Sequence, residues 1–316
     1  MAQMFQMMNM ARMETGHCAL SCIANAYYNA RDYAKERIQG RLMTDPKAGR
    51  ATIINHEDIK RTLLMGKAHV EAMRAMLYKT YFAFDVRHHD TDPEKVARAN
   101  ELIEITTPLC KAYPSDEAWW LIGEAIQAYG GYGYCEEYPV AQIARDVKIY
   151  SIWEGTNFIQ SMDLVGRKWS MKKGAVFAAF IQEMRDFASA NQDNSEFKNE
   201  FISLNAALEA YAKIQKTMFT YMGEKRISMM PLHARRILTA TSQLYCGRLI
   251  LDQALLANAK ANELGPEHFD YNYYTGKVAA ARYYLMNVVP NVCIAADIIA
   301  YGDTSSLDVP VNAFEY

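Results

Sequence analysis

The chain has 316 residues, enough for two domains that each bury a core. Hydrophobic residues make up 51% and charged residues 22%, the proportions of a soluble globular protein and not of a disordered one. The formal net charge is -2 with both signs interspersed, so there is no basic footprint for nucleic acid and no polybasic segment for a membrane surface, which leaves small-molecule chemistry or protein contact.

Apolar residues recur at three and four along the chain and strand-like alternation is nearly absent, which predicts an all-α protein. A first helix is expected from near the N-terminus to about Arg41. A loop with Asp45-Pro46 and Gly49 follows, then a second helix from about His56 to Asp85. Asp92-Pro93-Glu94 reads as an N-cap with proline at the first helical position, opening a third helix that should end before Pro114. Ser115 starts a fourth, through Trp119, Trp120, Ile122 and Ile126, which stops at Gly130-Gly131. Pro139 opens the next helical stretch, and another runs from about Thr156 to Trp169. Lys172-Lys173-Gly174 is the candidate junction between a domain of residues 1–171 and one of residues 172–316. Beyond it, helices are expected near 175–190, 196–222, 231–262 and 275–301, as a four-helix bundle of its own.

The six cysteines are scattered, and only Cys18 and Cys22 lie close. Without a second pair or a histidine cluster this is no zinc spacing; buried free thiols in a reducing, cytoplasmic setting are the reading. The first ten residues lack a basic n-region and a long apolar core, so no signal peptide is expected, and no stretch reaches the roughly 20 apolar residues of a membrane span.

Glu154 stands out. It lies between Trp153 and Gly155, after an apolar approach through Ile149 and Ile152, some twenty residues beyond the turn Gly130-Gly-Tyr-Gly-Tyr134. A carboxylate in poorly solvated surroundings, beside a backbone that can bend sharply, can serve as a base. Read locally, the same residues also describe a helix-terminal glutamate followed by a helix-breaking glycine.

Taken together, Gly130-Gly-Tyr-Gly-Tyr134, Glu137-Tyr-Pro-Val140, Arg145-Asp146, Ile152-Trp-Glu-Gly-Thr156 and Tyr33-Ala-Lys-Glu-Arg-Ile-Gln-Gly-Arg41 resemble the C-terminal helical domain of the flavin-dependent acyl-CoA dehydrogenases, over roughly residues 1–170. The second half, through Lys277-Val-Ala-Ala-Ala-Arg-Tyr-Tyr284 and Gly302-Asp303, resembles the extra helical domain of the longer, methylthiopropanoyl-CoA type subgroup. The family's N-terminal helical and β-barrel domains have no counterpart in the sequence, which suggests a fragment or one half of a split enzyme. The resemblance implies α,β-dehydrogenation of an acyl-CoA thioester, with FAD as cofactor, electron-transfer flavoprotein as partner, and either a homo-oligomer or a complementary N-terminal chain.

By the same resemblance Glu154 takes the α-proton and Gly155 helps orient the thioester carbonyl. Asn9 and Arg12 meet the CoA portion or order its pocket. Arg37 lies near the flavin pyrophosphate with Gln39 beside it. Gln127, Gly130 and Gly131 surround the adenosine side of a neighbouring subunit's FAD, and Thr156 and Asn157 continue the cofactor-contacting turn. A fixed guanidinium fork suits phosphate, and paired glycines let backbone approach a dinucleotide closely. The alternative position for the base, next to Arg12, holds Ala11, which favours Glu154. Phe158 and Glu57 replace polar residues common in the family, and the loop between Arg41 and His56 is longer. Trp153 supplies an apolar wall.

Two other readings were open. Glu14-x-x-His17 has the spacing of a di-metal bundle ligand pair, but the second such motif that this site needs is absent. A catalytically silent helical half that serves assembly fits the 21 tyrosines and 18 methionines, which otherwise fill bundle cores.

Overall fold

The computed structural model describes residues 2–47 and 49–315, with side chains from Met7 onward; Met1, Ala48 and Tyr316, at the edges of the expected first helix, first loop and last domain, lie outside the described residues. The fold is all-α, as the periodicity predicts. Three long helices, α1 (Ala2–Glu36), α2 (Glu57–His89) and α3 (Pro93–Tyr129), pack side by side. Short helices α4 (Gly131–Tyr134), α5 (Pro139–Val147) and α6 (Asn157–Asp163) close one flank. Then come α7 (Ala175–Ala190), α8 (Lys198–Gly223), α9 (Met229–Leu264), α10 (Tyr271–Asn287), α11 (Asn291–Tyr301) and α12 (Ser305–Asp308). Among the described residues the sole β feature is an isolated antiparallel bridge, Ile38 to Thr52.

Several boundaries depart from expectation. The first helix stops at Glu36, not Arg41, because Gln39 and Gly40 pair with Ala51 across the loop instead of continuing the helix. The predicted break at Pro114 does not occur: α3 runs through both Pro108 and Pro114. Every residue from Ile105 to Ser115 is buried, so packing on α1 and α2 outweighs the lost helix hydrogen bonds, which cost about 3 kcal/mol per proline. The predicted helix over 275–301 is two helices, interrupted at Val288–Pro290. The stretch Tyr271–Tyr301 is long and apolar enough in composition to pass for a membrane span, contrary to the sequence expectation. Its Ala280, Tyr284, Leu285, Val292 and Ile299 are instead core residues.

Two local signals hold as read. Asp92 caps α3 by accepting from the Glu94 amide at 2.9 Å, with Pro93 in the first turn, and Pro139 opens α5. At Lys172, Lys173 and Gly174 three successive residues are left-handed, which turns the chain into α7.

A single continuous apolar cluster extends from Met13 on α1 to Ile299 on α11. The two halves meet across it through Tyr113 and Tyr284, whose hydroxyls are 2.8 Å apart, and through Cys246 against the Met76 sulfur at 3.9 Å. Ion pairs Lys277 to Glu71 at 3.3 Å and Arg235 to Asp116 at 3.0 Å edge the seam.

Candidate functional site

Two clusters contain the residues singled out from sequence. The first surrounds Glu154. A turn of 3-10 helix at Lys148–Ser151 ends α5, and Glu154 and Gly155 then adopt consecutive left-handed conformations, with φ of 57° and 85°. A non-glycine residue in that region is strained, and such strain persists where surrounding structure enforces it. Thr156 enforces the exit: its hydroxyl accepts from the Ile159 amide at 3.3 Å and caps α6. From within α6 the Gln160 amide donates to the Gly155 carbonyl at 3.3 Å.

Glu154 is half-buried, and the apolar wall expected beside it is open in this chain. Trp153 is 49% exposed, and Ile152, Phe158, Ile159 and Trp119 are also exposed. The side chains of Ile152, Trp153, Phe158 and Ile159, within five residues of Glu154, form an apolar rim that no described residue fully covers.

Asn157 does not face outward as the resemblance implies. Its side chain is buried, with the amide oxygen accepting from Lys111 Nζ at 2.8 Å, and Nδ2 donating to the Ala112 carbonyl at 3.3 Å and to Ser115 Oγ at 2.9 Å. Lys111 was not singled out from sequence, although a lone lysine in the apolar run from Ile103 to Tyr113 is the kind of signal that marks one. Burial pushes its amino group down to about 8; the carboxylates of Asp116 and Glu154 oppose that fall and the Arg12 guanidinium adds to it.

Arg12 thus belongs to the same neighbourhood, half-buried on α1, and its Nε has no hydrogen-bond partner among the described residues. Asn9 is turned to a different task. Its amide donates to Glu104 at 3.2 Å, and Glu104 in turn holds the buried Lys168, which a π-helical turn at Leu164–Lys168 rotates inward.

The second cluster lies beyond the other end of α1. Tyr33, Arg37, Gln39, Gly40, Ile53, His56, Ile59, Gln127, Tyr129 and Gly130 line an open groove of about 350 Å³. Arg37 sits over the Tyr132 ring at 5.4 Å and pairs with no carboxylate among the described residues. The Gln39 carbonyl is fixed by His56 Nε2 at 2.8 Å. A Cβ added to Gly130 or Gly131 would meet open space, so the backbone there is accessible from outside. Glu57 is exposed in the first turn of α2, where a carboxylate suits the helix dipole. Arg12 and Arg37 are 25 positions apart, about 37 Å along a helix rising 1.5 Å per residue.

No cluster of metal-ligating side chains occurs among the described residues. His17 instead packs near the Tyr81 ring at 6.0 Å. His88 meets the Phe84 carbonyl at 2.8 Å, within the last turn of α2.

Residues 1–168 match the family model for the acyl-CoA dehydrogenase C-terminal domain, and residues 180–310 match that described as acetyl-CoA dehydrogenase C-terminal like. A butyryl-CoA dehydrogenase of Syntrophomonas wolfei is 47% identical over 99% of this chain and 51% of its own length. The fold is shared with Caenorhabditis elegans ACDH-11, solved with C11-CoA, at a TM-score of 0.74 and 18% identity over 98% of this chain and 48% of that one. It is shared too with an acyl-CoA dehydrogenase of Bacillus anthracis, solved with FAD, at a TM-score of 0.73 and 20% identity over 94% and 50%. The chain therefore spans about half the length of the relatives it matches. With the Glu154 turn, the glycine-lined groove and an all-helical core within the matched segments, the chain belongs to the acyl-CoA dehydrogenase family.

Proposed function

We infer that this chain supplies the base and part of the flavin-binding surface for α,β-dehydrogenation of an acyl-CoA thioester, with Glu154 removing the α-proton. The observation that carries this reading is the Glu154–Gly155 turn, where a carboxylate is held in a strained conformation at an exposed apolar rim, within electrostatic range of the buried Lys111. An α-proton becomes acidic once the thioester carbonyl is polarised, and the backbone of the same turn is the proposed donor to that carbonyl. A covering segment on the rim would exclude water from Glu154, which makes its carboxylate a stronger base.

The Arg37 groove fits an anionic dinucleotide such as FAD, because its guanidinium lacks an internal carboxylate partner and the glycine backbone beside it is bare. Arg37, Gln39, Gln127, Gly130 and Gly131 would hold that group. FAD, when bound, supplies the acceptor for the β-hydride. The 37 Å or so between the two clusters is longer than an extended dinucleotide, which favours a homo-oligomer in which one copy's groove and another's base serve one flavin. The remaining site surfaces would come from the half of the relatives that this chain does not span, in the same polypeptide or a complementary one. Electron-transfer flavoprotein is the proposed electron acceptor. The six free thiols suit a reducing, cytoplasmic setting, although only Cys110 and Cys246 are buried as expected and Cys18 and Cys135 are exposed.

The test has two stages. The 316-residue chain is first titrated with FAD, and Arg37→Ala should weaken any binding. The chain alone should show little turnover. In the assembled flavoenzyme, with butyryl-CoA as the first substrate because of the S. wolfei relative, Glu154→Gln should lower turnover by roughly 10³-fold. Unchanged turnover would instead support the silent, assembly-serving half, for which the same exposed apolar rim would be the docking face.

A further inference from the structure

Lys111 has no solvent exposure, and an ammonium taken out of water is retained only where its bonds and charges compensate. Its visible bond goes to Asn157, the first residue of α6 and three beyond Glu154. The Asn157 amide is gripped on both sides, by Lys111 at its oxygen and by the Ser115 hydroxyl and the Ala112 carbonyl at its nitrogen, with the Ser115 proton given to the Lys111 carbonyl at 2.8 Å. One end of the left-handed turn is therefore bolted to the middle of α3. The other support comes from Gln160, whose Nε2 holds the Gly155 carbonyl while its Oε1 is buried without a partner.

We propose, building on the assignment of Glu154 as base, that Lys111 is a positioning residue that fixes the Glu154–Gly155 turn through Asn157. The charged and titratable groups facing its amino group are Asp116 on α3, Arg12 on α1 and Glu154 on the turn itself. A charged donor makes a hydrogen bond about twice as strong as a neutral one, so its grip on Asn157 weakens when the ammonium loses its proton.

The test is amide hydrogen exchange on the flavin-free 316-residue chain, which reads turn geometry without needing dehydrogenation. Lys111→Met and Asn157→Ala should each raise exchange at the Ile159 and Gln160 amides, which close the turn by bonding to Thr156 at 3.3 and 3.1 Å, by roughly tenfold, the scale of one lost buried hydrogen bond, while α9 and α10 stay protected. The double variant should exchange no faster than either single one, because both remove the same link. Wild-type protection of these two amides, corrected for intrinsic exchange, should also step down by a few-fold as pH passes about 8, and that step should be missing from Lys111→Met. Unaltered exchange at Ile159 and Gln160 in Lys111→Met, or multiplied effects in the double variant, overturn the proposal. If Lys111→Met does not fold, Asn157→Ala and the wild-type pH series decide it alone, and a wild type without the step refutes it. Normal turnover by Glu154→Gln would refute the base assignment separately and leave the exchange result intact.

Discussion

His69, on α2, is enclosed at the seam between the halves, with Nδ1 2.9 Å from the Met65 carbonyl and the Trp120 and Tyr284 rings at 6.0 and 5.4 Å. Burial pushes its imidazole down to about 4. Nearby on α3, Glu117 is pushed up to about 7, by burial first and by Asp116 second. The two act oppositely on stability. Between pH 6.5 and 4 the unfolded chain takes a proton on His69 that the native state refuses, so stability falls as pH falls. Between pH 7 and 4.5 the native state holds a proton on Glu117 that the unfolded chain releases, so stability rises as pH falls. The contributions largely cancel in the wild type and separate in variants. Going from pH 7.5 to pH 5, His69→Leu should gain about 2 kcal/mol relative to wild type and Glu117→Gln should lose about 2 kcal/mol, read from urea midpoints. Among the residues singled out, Glu154 drew attention because tryptophan and glycine flank it in sequence. The inward turn of Asn157 was not, because its partners lie 42 and 46 positions away on α3, and no local pattern encodes a contact of that range.

At the scale of elements, the crossing of α1 over α3 depends on two residues with no side-chain bulk or donor to spare. Pro114 has no N–H to offer the Cys110 carbonyl four residues back, and α1 crosses there with Gly16. A Cβ on Gly16 would sit 1.9 Å from the Cys110 oxygen, so Gly16→Ala should force the helices apart and cost about 3 kcal/mol, measured by chemical denaturation. Gly123, later on α3, is the contrasting case. A Cβ there meets nothing within 4 Å, so Gly123→Ala should stabilise by about 0.5–1 kcal/mol through helix propensity. The same crossing explains the missed continuity of α3. Proline rules describe a chain without neighbours, whereas here the run from Ile105 to Ser115 is covered on all sides. Helix starts such as Asp92-Pro93 were legible because a cap is a local device, complete within three residues.

Across the whole molecule, the all-α class was readable from periodicity, but the sharing of one core by both halves was not. That property depends on which faces meet, and pairs such as Tyr113 with Tyr284 join positions 171 apart. A shared core predicts cooperative unfolding: tryptophan fluorescence, which reports the first half alone, and far-UV circular dichroism, which reports the helices of both halves, should give coincident urea transitions. A chain cut after residue 171 should lose that transition, because Met76, Tyr113 and their neighbours would be exposed. The length of α1 bears on inheritance as well as on shape. If base and phosphate groove of each copy serve different flavins, a chain carrying Glu154→Gln and a chain carrying Arg37→Ala each fail alone, yet a mixed pair assembles one site from two intact parts. Co-expression of two inactive alleles would then restore up to half of the activity of a wild-type pair, a form of complementation that a site contained within one chain does not allow.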